Sequence, residues 1–511
     1  MIRRLVGGVL LALLTAALLI LIWPTFGNLW WLTCVAFVPM YVAQYRVLPR
    51  KWSALAVAIA FAAYYFALFL HATSVLDIGP IVGIGVAAGI VGGVIGIFLR
   101  PFAERTNYRW FVLQLPLIWV TLDLLLQNNE IIGTYTWIAY RLAPVPEIVQ
   151  PISITGTPAL SLLIHVVNAA VGLAVIALID RIRPGLAGVA VPRRVLTWSV
   201  GIPVAAVVIW TAVSILIFRD VTNRMGPDVR VAAVQPGLDN ATPGTLISAG
   251  DINPGRSEEQ RITEQIAQLE AMTRDAAAQG AKVVVWPEEA LSYDPRVNHT
   301  DWIPELVRRT GVYLAMGFTP DPQDGAAPNT GLLWGPDGEV KFLYLKTKRV
   351  LVEGEKFTPG TVYPTLQTPQ GVLGMIICFD IDFPDGPARK VANDGAQVIL
   401  APSIDFKSIA DVRATSTAFR AIENRVAMVK ADVAWDSVIV APNGRVIDST
   451  AAHTERGEKA LLVADVPLGP RGAPFTTVGG VPFQWLTYAA TLLMIGAMVV
   501  SKRRTPHHPN Q

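Results

Sequence analysis

The chain has only two cysteines among its 511 residues, Cys34 and Cys378. Cys34 lies in a membrane-length apolar segment and Cys378 in the polar part of the sequence, a placement that argues against a disulfide. Two thiols are also too few for a cysteine metal cage. Charge is scarce: 16% of residues are charged and 52% hydrophobic, which excludes an ordinary soluble protein. The net charge of +3 is too small to argue for nucleic acid as a partner. There is no internal repeat and no low-complexity tract. No small-x-small cleavage site follows the first apolar stretch, so it reads as an uncleaved helix.

Apolar length is abundant. Eight stretches are long enough to span a bilayer: Leu5–Trp23, Leu29–Tyr45, Leu55–His71, Ile78–Leu99, Trp110–Leu126, Ala159–Ile179, Val195–Phe218 and Val481–Val500. Basic residues cluster in alternate connections: Arg3 and Arg4; Arg46, Arg50 and Lys51; Arg100, Arg105 and Arg109; Arg181, Arg183, Arg193 and Arg194; Lys502, Arg503 and Arg504. Arg141 is the exception. Because basic loops stay in the cytoplasm, both termini are expected there. The expected organisation is a membrane domain of seven spans over 1–219, a polar domain over 220–480 outside the cytoplasm, and an eighth span with a short cytoplasmic tail over 481–511. Gly85, Gly89 and Gly93, with Gly92 and Gly96 alongside, suit close helix packing. Asp123 is an acid at membrane depth, where it either lines a polar site or bonds to another helix.

The polar domain alternates short apolar runs with amphipathic stretches, which predicts one α/β domain. Expected strands are Val229–Val234, Lys282–Trp286, Val312–Gly317, the hairpin Thr330–Trp334 and Val340–Leu345, Val372–Cys378, Gln397–Ala401, Ala427–Ala431 and Ser437–Val440. Expected helices are Glu258–Gln279, one near Pro387–Asn393 and one around Ala410–Asn424. Gln235–Gly255, Pro320–Pro328 and Leu468–Pro482 read as loops.

Cys378 ends an apolar run and is followed two residues later by Asp380. A lone cysteine so placed is a candidate nucleophile, although taken alone the same residue type is more often a buried core thiol. Its company favours the first reading. Val283-Val284-Val285-Trp286-Pro287-Glu288 is a strand ending in Pro-Glu, and Tyr344-Leu345-Lys346-Thr347-Lys348 a strand ending in lysine. Ile377-Cys378-Phe379-Asp380 follows, with Phe383-Pro384 downstream. A carboxylate can take the thiol's proton during attack on an acyl carbon, and a fixed cation can stabilise the oxyanion that forms.

These segments, in this order, resemble the carbon–nitrogen hydrolase, or nitrilase, superfamily. Asn329, Phe357-Thr358-Pro359-Gly360, Pro402-Ser403 and Arg420-Ala421-Ile422-Glu423-Asn424 extend the resemblance. It implies an αββα sandwich, with Glu288 as base, Lys346 as oxyanion-stabilising cation and Cys378 as nucleophile. The backbone N–H of Phe379 is implied as a second oxyanion donor. Glu289 adjoins Glu288, but the family's acid directly follows the proline; Lys348 is the competitor to Lys346. A second, orienting glutamate is implied at Glu355 or Glu353, with Glu355 the better fit before the Phe357–Gly360 turn.

A nitrilase-like domain set between seven spans and an eighth resembles the apolipoprotein N-acyltransferase family. Trp119–Asp123, Gly133–Tyr140 and Gln150–Gly156 resemble that family's membrane motifs. Three departures stand out. Gly133-Thr134-Tyr135-Thr136-Trp137 lacks the family's Phe-Pro, Cys378-Phe379-Asp380 replaces Cys-Tyr-Glu, and Val433–Ser437 lacks Gly-x-Ser. The resemblance implies a bacterial inner-membrane enzyme, acting as a monomer. It would move a phospholipid acyl chain through a cysteine thioester to the α-amine of diacylglyceryl-cysteine lipoproteins. No metal and no organic cofactor is expected. A membrane-tethered amidase and a non-enzymatic scaffold are the alternatives. The loops Val350–Gly360, Phe406–Asp411 and Ala473–Phe483, apolar or small in composition, are expected to admit the acyl chain.

Overall fold

The computed structural model describes every residue except 71–72, 74–75, 132, 187, 239–256, 321–325, 454–456 and 504–511. Most of the expected loop 235–255 therefore lies outside the described residues, as do residues 321–325 of the second loop.

The N-terminal region is helical. Among the described residues, six helices are long and apolar enough to cross a membrane: Ile2–Leu21, Arg50–Leu70, Ile78–Arg105, Thr157–Ile182, Arg193–Arg224 and Val481–Lys502. They correspond to six of the eight expected spans. The fifth expected span is a shorter apolar helix, Phe111–Leu126. The second is not one helix. It breaks into a 3₁₀ turn Trp30–Cys34, a five-residue helix Val38–Val42 and a π-turn Ala43–Val47. Pro39 starts the short helix at its only tolerant position, the first turn, so the preceding residues cannot continue into it. Cys34 thus closes a turn instead of sitting within a span.

The glycine row does what its spacing predicts. A Cβ at Gly92 would lie 2.9 Å from the Val57 carbonyl oxygen, and one at Gly96 2.9 Å from Ala54 Cα. The helix Ile78–Arg105 therefore packs backbone to backbone on Leu55–Leu70. Gly93 faces a looser contact, 3.5 Å from Ala58 Cβ. Asp123 is buried in the helix Phe111–Leu126.

The outer region has two six-stranded sheets. In chain order the strands are β1 (Asp228–Gln235), β2 (Val283–Val285), β3 (Tyr313–Phe318), β4 (Thr330–Trp334), β5 (Val340–Leu345), β6 (Thr365–Thr368), β7 (Gly371–Met375), β8 (Val398–Ser403), β9 (Ala427–Asp432), β10 (Val438–Val440), β11 (Val446–Ser449) and β12 (Ala460–Pro467). One sheet has the order β12-β1-β2-β3-β4-β5, the other β11-β10-β9-β8-β7-β6. The central three strands of each, β1-β2-β3 and β7-β8-β9, run parallel.

Strand alternation divides the side chains among three cores, one between the sheets and one outside each. Val231, Ala233, Val283 and Val285 meet Leu373, Met375, Leu400 and Val429 between the sheets. Ala232, Val234, Val284 and Leu314 turn the other way and are covered by the helices Glu258–Ala278 and Trp302–Thr310. On the second sheet Ile376, Ile399 and Met428 are covered by Pro387–Asn393 and Ala410–Asn424. Central strands buried on both faces read as continuous apolar runs, which is why Val283-Val284-Val285 shows no alternation. The result is an α/β/β/α sandwich. Three strands, β6, β11 and β12, and the helix Trp302–Thr310 were not expected from the sequence. β6 and β11 are edge strands with mostly part-exposed or exposed residues, so they carry no continuous apolar run. The expected loop Leu468–Pro482 contains a short helix, Pro474–Val478.

The helix Ala410–Asn424 joins the two regions. Ala418 and Ala421 pack on the second sheet, whereas Val412, Phe419 and Ile422 belong to the core of the membrane domain. Polar contacts fasten the same seam. Thr134 Oγ1 donates to the Asp382 carbonyl at 2.7 Å, Thr157 Oγ1 to Glu423 at 2.6 Å, and Arg349 pairs with Glu130 at 3.0 Å.

Candidate active site

Four chain segments converge where the central strands end. Glu288 follows β2, Lys346 follows β5, Cys378 follows β7, and Ile404-Asp405 follows β8. In open α/β sheets, ligands gather at such carboxyl ends. Glu288, Lys346 and Cys378 are 3%, 2% and 2% exposed, so all three are withdrawn from bulk water.

Glu288 is held by three donors. Its Oε1 accepts from Lys346 Nζ at 2.9 Å and from Asn329 Nδ2 at 2.7 Å, and its Oε2 accepts from the Ile404 N–H at 3.0 Å. Lys346 Nζ also donates to Glu355 Oε1 at 2.7 Å. Glu355 is anchored in turn by the Val350 N–H at 2.5 Å. The buried ammonium lies between two carboxylates, each of which offsets part of its loss of water. Glu355 is thus the glutamate that reaches the lysine; the Glu353 side chain lies outside the described residues. Lys348 turns away, its ammonium 4.3 Å from the centre of the Phe383 ring.

Cys378 does not lie on a strand. β7 ends at Met375, and Cys378 opens a 3₁₀ turn, Cys378–Asp382, with φ of +44°. This conformation is costly for a residue with a side chain and persists only where its surroundings enforce it. Asp380 provides the enforcement. Its carboxylate accepts from the Ile377 N–H at 3.1 Å, the Tyr344 hydroxyl at 2.6 Å, and Thr347 through both N–H (3.2 Å) and Oγ1 (2.7 Å). Asp380 therefore ties the cysteine turn to the lysine strand. Burial raises its pKa above the usual carboxylate value despite these donors. Phe379 packs edge-to-face on Phe383, with ring centres 5.0 Å apart.

The thiol contacts the same residue as Glu288: Cys378 Sγ donates to the Ile404 carbonyl at 3.2 Å. Arg413 Nη1 donates to Sγ at 3.0 Å. Burial pushes the thiol well above its ordinary pKa, and the Glu288 charge adds to this; Arg413 and Lys346 pull the other way. A thiol so raised is protonated at neutral pH and needs a base at the moment of attack. Glu289, with φ of +49°, is pushed up to about 7 by burial and then by the neighbouring Glu288 charge.

Four charged residues at this site escaped the sequence reading: Asp382, Asp405, Arg413 and Lys430. Arg413 pairs with Asp405 at 3.1 Å and Asp382 at 3.2 Å, and Lys430 pairs with Asp405 at 2.7 Å. Their one visible signal was charge in segments otherwise patterned for burial, such as Lys430 within Ala427–Asp432.

An apolar cavity of about 300 Å³ borders the thiol turn. Phe69, Pro80 and Ile84 of the membrane helices line it together with Val350, Val352, Phe406 and Ile409, and with Phe379 and Arg413 beside the thiol. Two of the three loops expected to admit an acyl chain supply these residues. The third, Ala473–Phe483, supplies none of the lining, because Phe475 is buried against Gly156. Phe357 is buried and Leu351 exposed, and neither lines the cavity.

Residues 230–473 match the carbon-nitrogen hydrolase family, and residues 15–170 match the apolipoprotein N-acyltransferase N-terminal domain. An apolipoprotein N-acyltransferase of Geobacter metallireducens is 26% identical over 98% of this chain and 96% of its own length. Omega-amidases of Danio rerio and Homo sapiens are 27% and 26% identical, each over 40% of this chain, and over 83% and 84% of their own lengths. Among solved structures, an amidase from Nesterenkonia sp. has a TM-score of 0.37 at 24% identity, over 47% of this chain and 91% of its own.

Proposed function

We propose that this protein, which belongs to the apolipoprotein N-acyltransferase family of the nitrilase superfamily, N-acylates lipoproteins with an acyl chain taken from a membrane phospholipid. The observation that carries the reading is the apolar cavity that runs from membrane helices to the thiol turn. A soluble amide has no need of that lining, whereas a lipid chain leaving the bilayer does. The amidase relatives cover 40% of this chain, whereas the N-acyltransferase relative covers 98% of it.

The reaction has two halves. Glu288 takes the Cys378 proton as sulfur attacks the ester carbonyl. Lys346 and the Phe379 N–H stabilise the oxyanion, and the tetrahedral adduct expels lysophospholipid, which leaves with the proton from Glu288. The lipoprotein α-amine then attacks the thioester carbonyl, Glu288 takes its proton, and the thiolate departs. Burial of Glu288, Lys346 and Cys378 keeps water, the competing acceptor, from the thioester. Glu355 orients Lys346, and Asp380 holds the cysteine turn.

The chain is a bacterial membrane protein. We place it in the inner membrane, as a monomer, with residues 220–480 on the extracytoplasmic face, because the basic clusters fall in alternate connections of the sequence. A cytoplasmic reporter fused after Gln511 is expected to be active; a reporter active only outside the cytoplasm at that terminus reverses the topology. The function is tested by labelled phospholipid, which should form a hydroxylamine-sensitive adduct on Cys378, and by the mass of lipoprotein N-terminal peptides with and without the gene. Unchanged peptide masses, with amide hydrolysis retained by the purified protein, would establish the amidase reading instead.

A further inference from the structure

We infer that Arg413 is a catalytic residue of this site, holding the Cys378 sulfur as a thiolate when the thioester breaks. The inference rests on the acyl-transfer reading for the step it serves, but not for the property it tests. Arg413 is 5% exposed and touches the reacting atom, Nη1 lying 3.0 Å from Sγ. Its orientation is built. Asp405 Oδ1 stands 3.1 Å from Nη1 and Asp382 Oδ2 3.2 Å from Nη2, so the planar fork is held on two sides. The Phe379 ring lies 5.2 Å from the guanidinium carbon.

The charges around the sulfur explain why a second cation is needed. Glu288 and Asp405 face it with negative charge, Lys346 and Arg413 with positive charge. Lys346 is engaged by Glu288 and Glu355, on the side where the oxyanion forms. Asp405 is shared with Lys430 at 2.7 Å, and Lys430 also meets Asp432 at 3.2 Å. Arg413 donates a hydrogen bond to the sulfur itself. When the amine nitrogen bonds to the carbonyl carbon, the carbon–sulfur bond breaks and its electron pair goes to Sγ, while the amine proton goes to Glu288. The sulfur then carries a full negative charge in a buried site, and a fixed guanidinium offsets it without reorganisation. The helix that carries Arg413 is also the one whose Val412, Phe419 and Ile422 pack into the membrane core, so membrane packing places the cation.

The test reads the thiolate directly. On a Cys34→Ser background, full-length protein in detergent is alkylated with iodoacetamide across pH, and adduct at Cys378 is counted by mass spectrometry. Arg413→Met should move the midpoint of alkylation up by about one pH unit, a tenfold loss of thiolate at fixed pH. Arg413→Lys should recover at least half of that shift. Because the methionine leaves two carboxylates without their partner, Arg413→Met/Asp382→Asn is measured beside it and is expected to keep an upward shift. Profiles of either methionine variant that superimpose on wild type, in folded protein, overturn the inference. The readout needs no acyl donor, so it stands or falls apart from the proposed substrate.

Discussion

Buried charge is handled differently in the two regions. In the membrane domain two buried ion pairs stand apart from one another: Arg46 meets Asp180 at 2.5 Å and Arg100 meets Glu104 at 2.7 Å. The first pair fastens one segment to another; the second lies within the helix Ile78–Arg105, and Arg50 joins it at 3.1 Å from Glu104. These arginines belong to the clusters that set the expected topology, so part of that basic signal is spent on packing. In the outer domain buried charge gathers around one thiol, and Glu288, Asp405 and Lys346 each serve two or more partners. A closed pair holds a fold. A shared set leaves ions poised for a proton or an anion that arrives with the substrate.

That contrast is sharpest at the two cysteines. Cys378→Ala should abolish acyl transfer, a loss of at least about 10³-fold, with insertion and folding intact. Cys34→Ser should be silent, because Cys34 only closes a turn. The measurement is labelled adduct from phospholipid; adduct on the alanine variant breaks the assignment.

The next largest effect separates shared from unshared charge. Glu288→Gln and Lys346→Met should each slow thioester formation by roughly 10²–10⁴-fold, since one loses the base and the other the oxyanion partner. Lys348→Met, whose ammonium lies on the Phe383 ring, should change the rate little. An essential Lys348 beside a dispensable Lys346 would move the site by two residues.

A smaller effect tests whether the regions cooperate. Ile84→Asp on the membrane wall and Val352→Asp on the outer wall should both raise the phospholipid concentration needed for half-maximal adduct, by about tenfold, while iodoacetamide still reaches Cys378. If only one wall responds, the chain enters by another route.

The smallest effect is a pH slope. Glu289 titrates at about 7 in the folded protein, above its ordinary value of 4.5. Its folded pKa is raised, so its contribution is fully present below about 4.5 and is lost as pH rises through 7. The melting temperature of wild type should therefore fall more between pH 5 and pH 8 than that of Glu289→Gln. Parallel curves would show that Glu289 is not penalised for ionising.

Hydropathy and local pattern determined much of this protein. Long apolar runs must become helices in a bilayer, because each backbone polar group needs a partner within its own segment. Six of eight expected spans are such helices. In the outer domain the hairpin Thr330–Leu345 and the helix Ala410–Asn424 lie where turn residues and periodicity placed them. The motif order also brought forward Glu288, Lys346, Cys378 and the Glu355 carboxylate that reaches the lysine. Tertiary structure decided the rest. It broke the segment 29–47 at Pro39, bent Cys378 into a left-handed turn that Asp380 enforces, and set Arg413 on the sulfur from a helix whose other face belongs to the membrane domain. Periodicity reports which face of an element is apolar; it does not report which buried charge meets which. That depends on distances between segments far apart in the chain, and those exist only once both sheets and the membrane helices have packed.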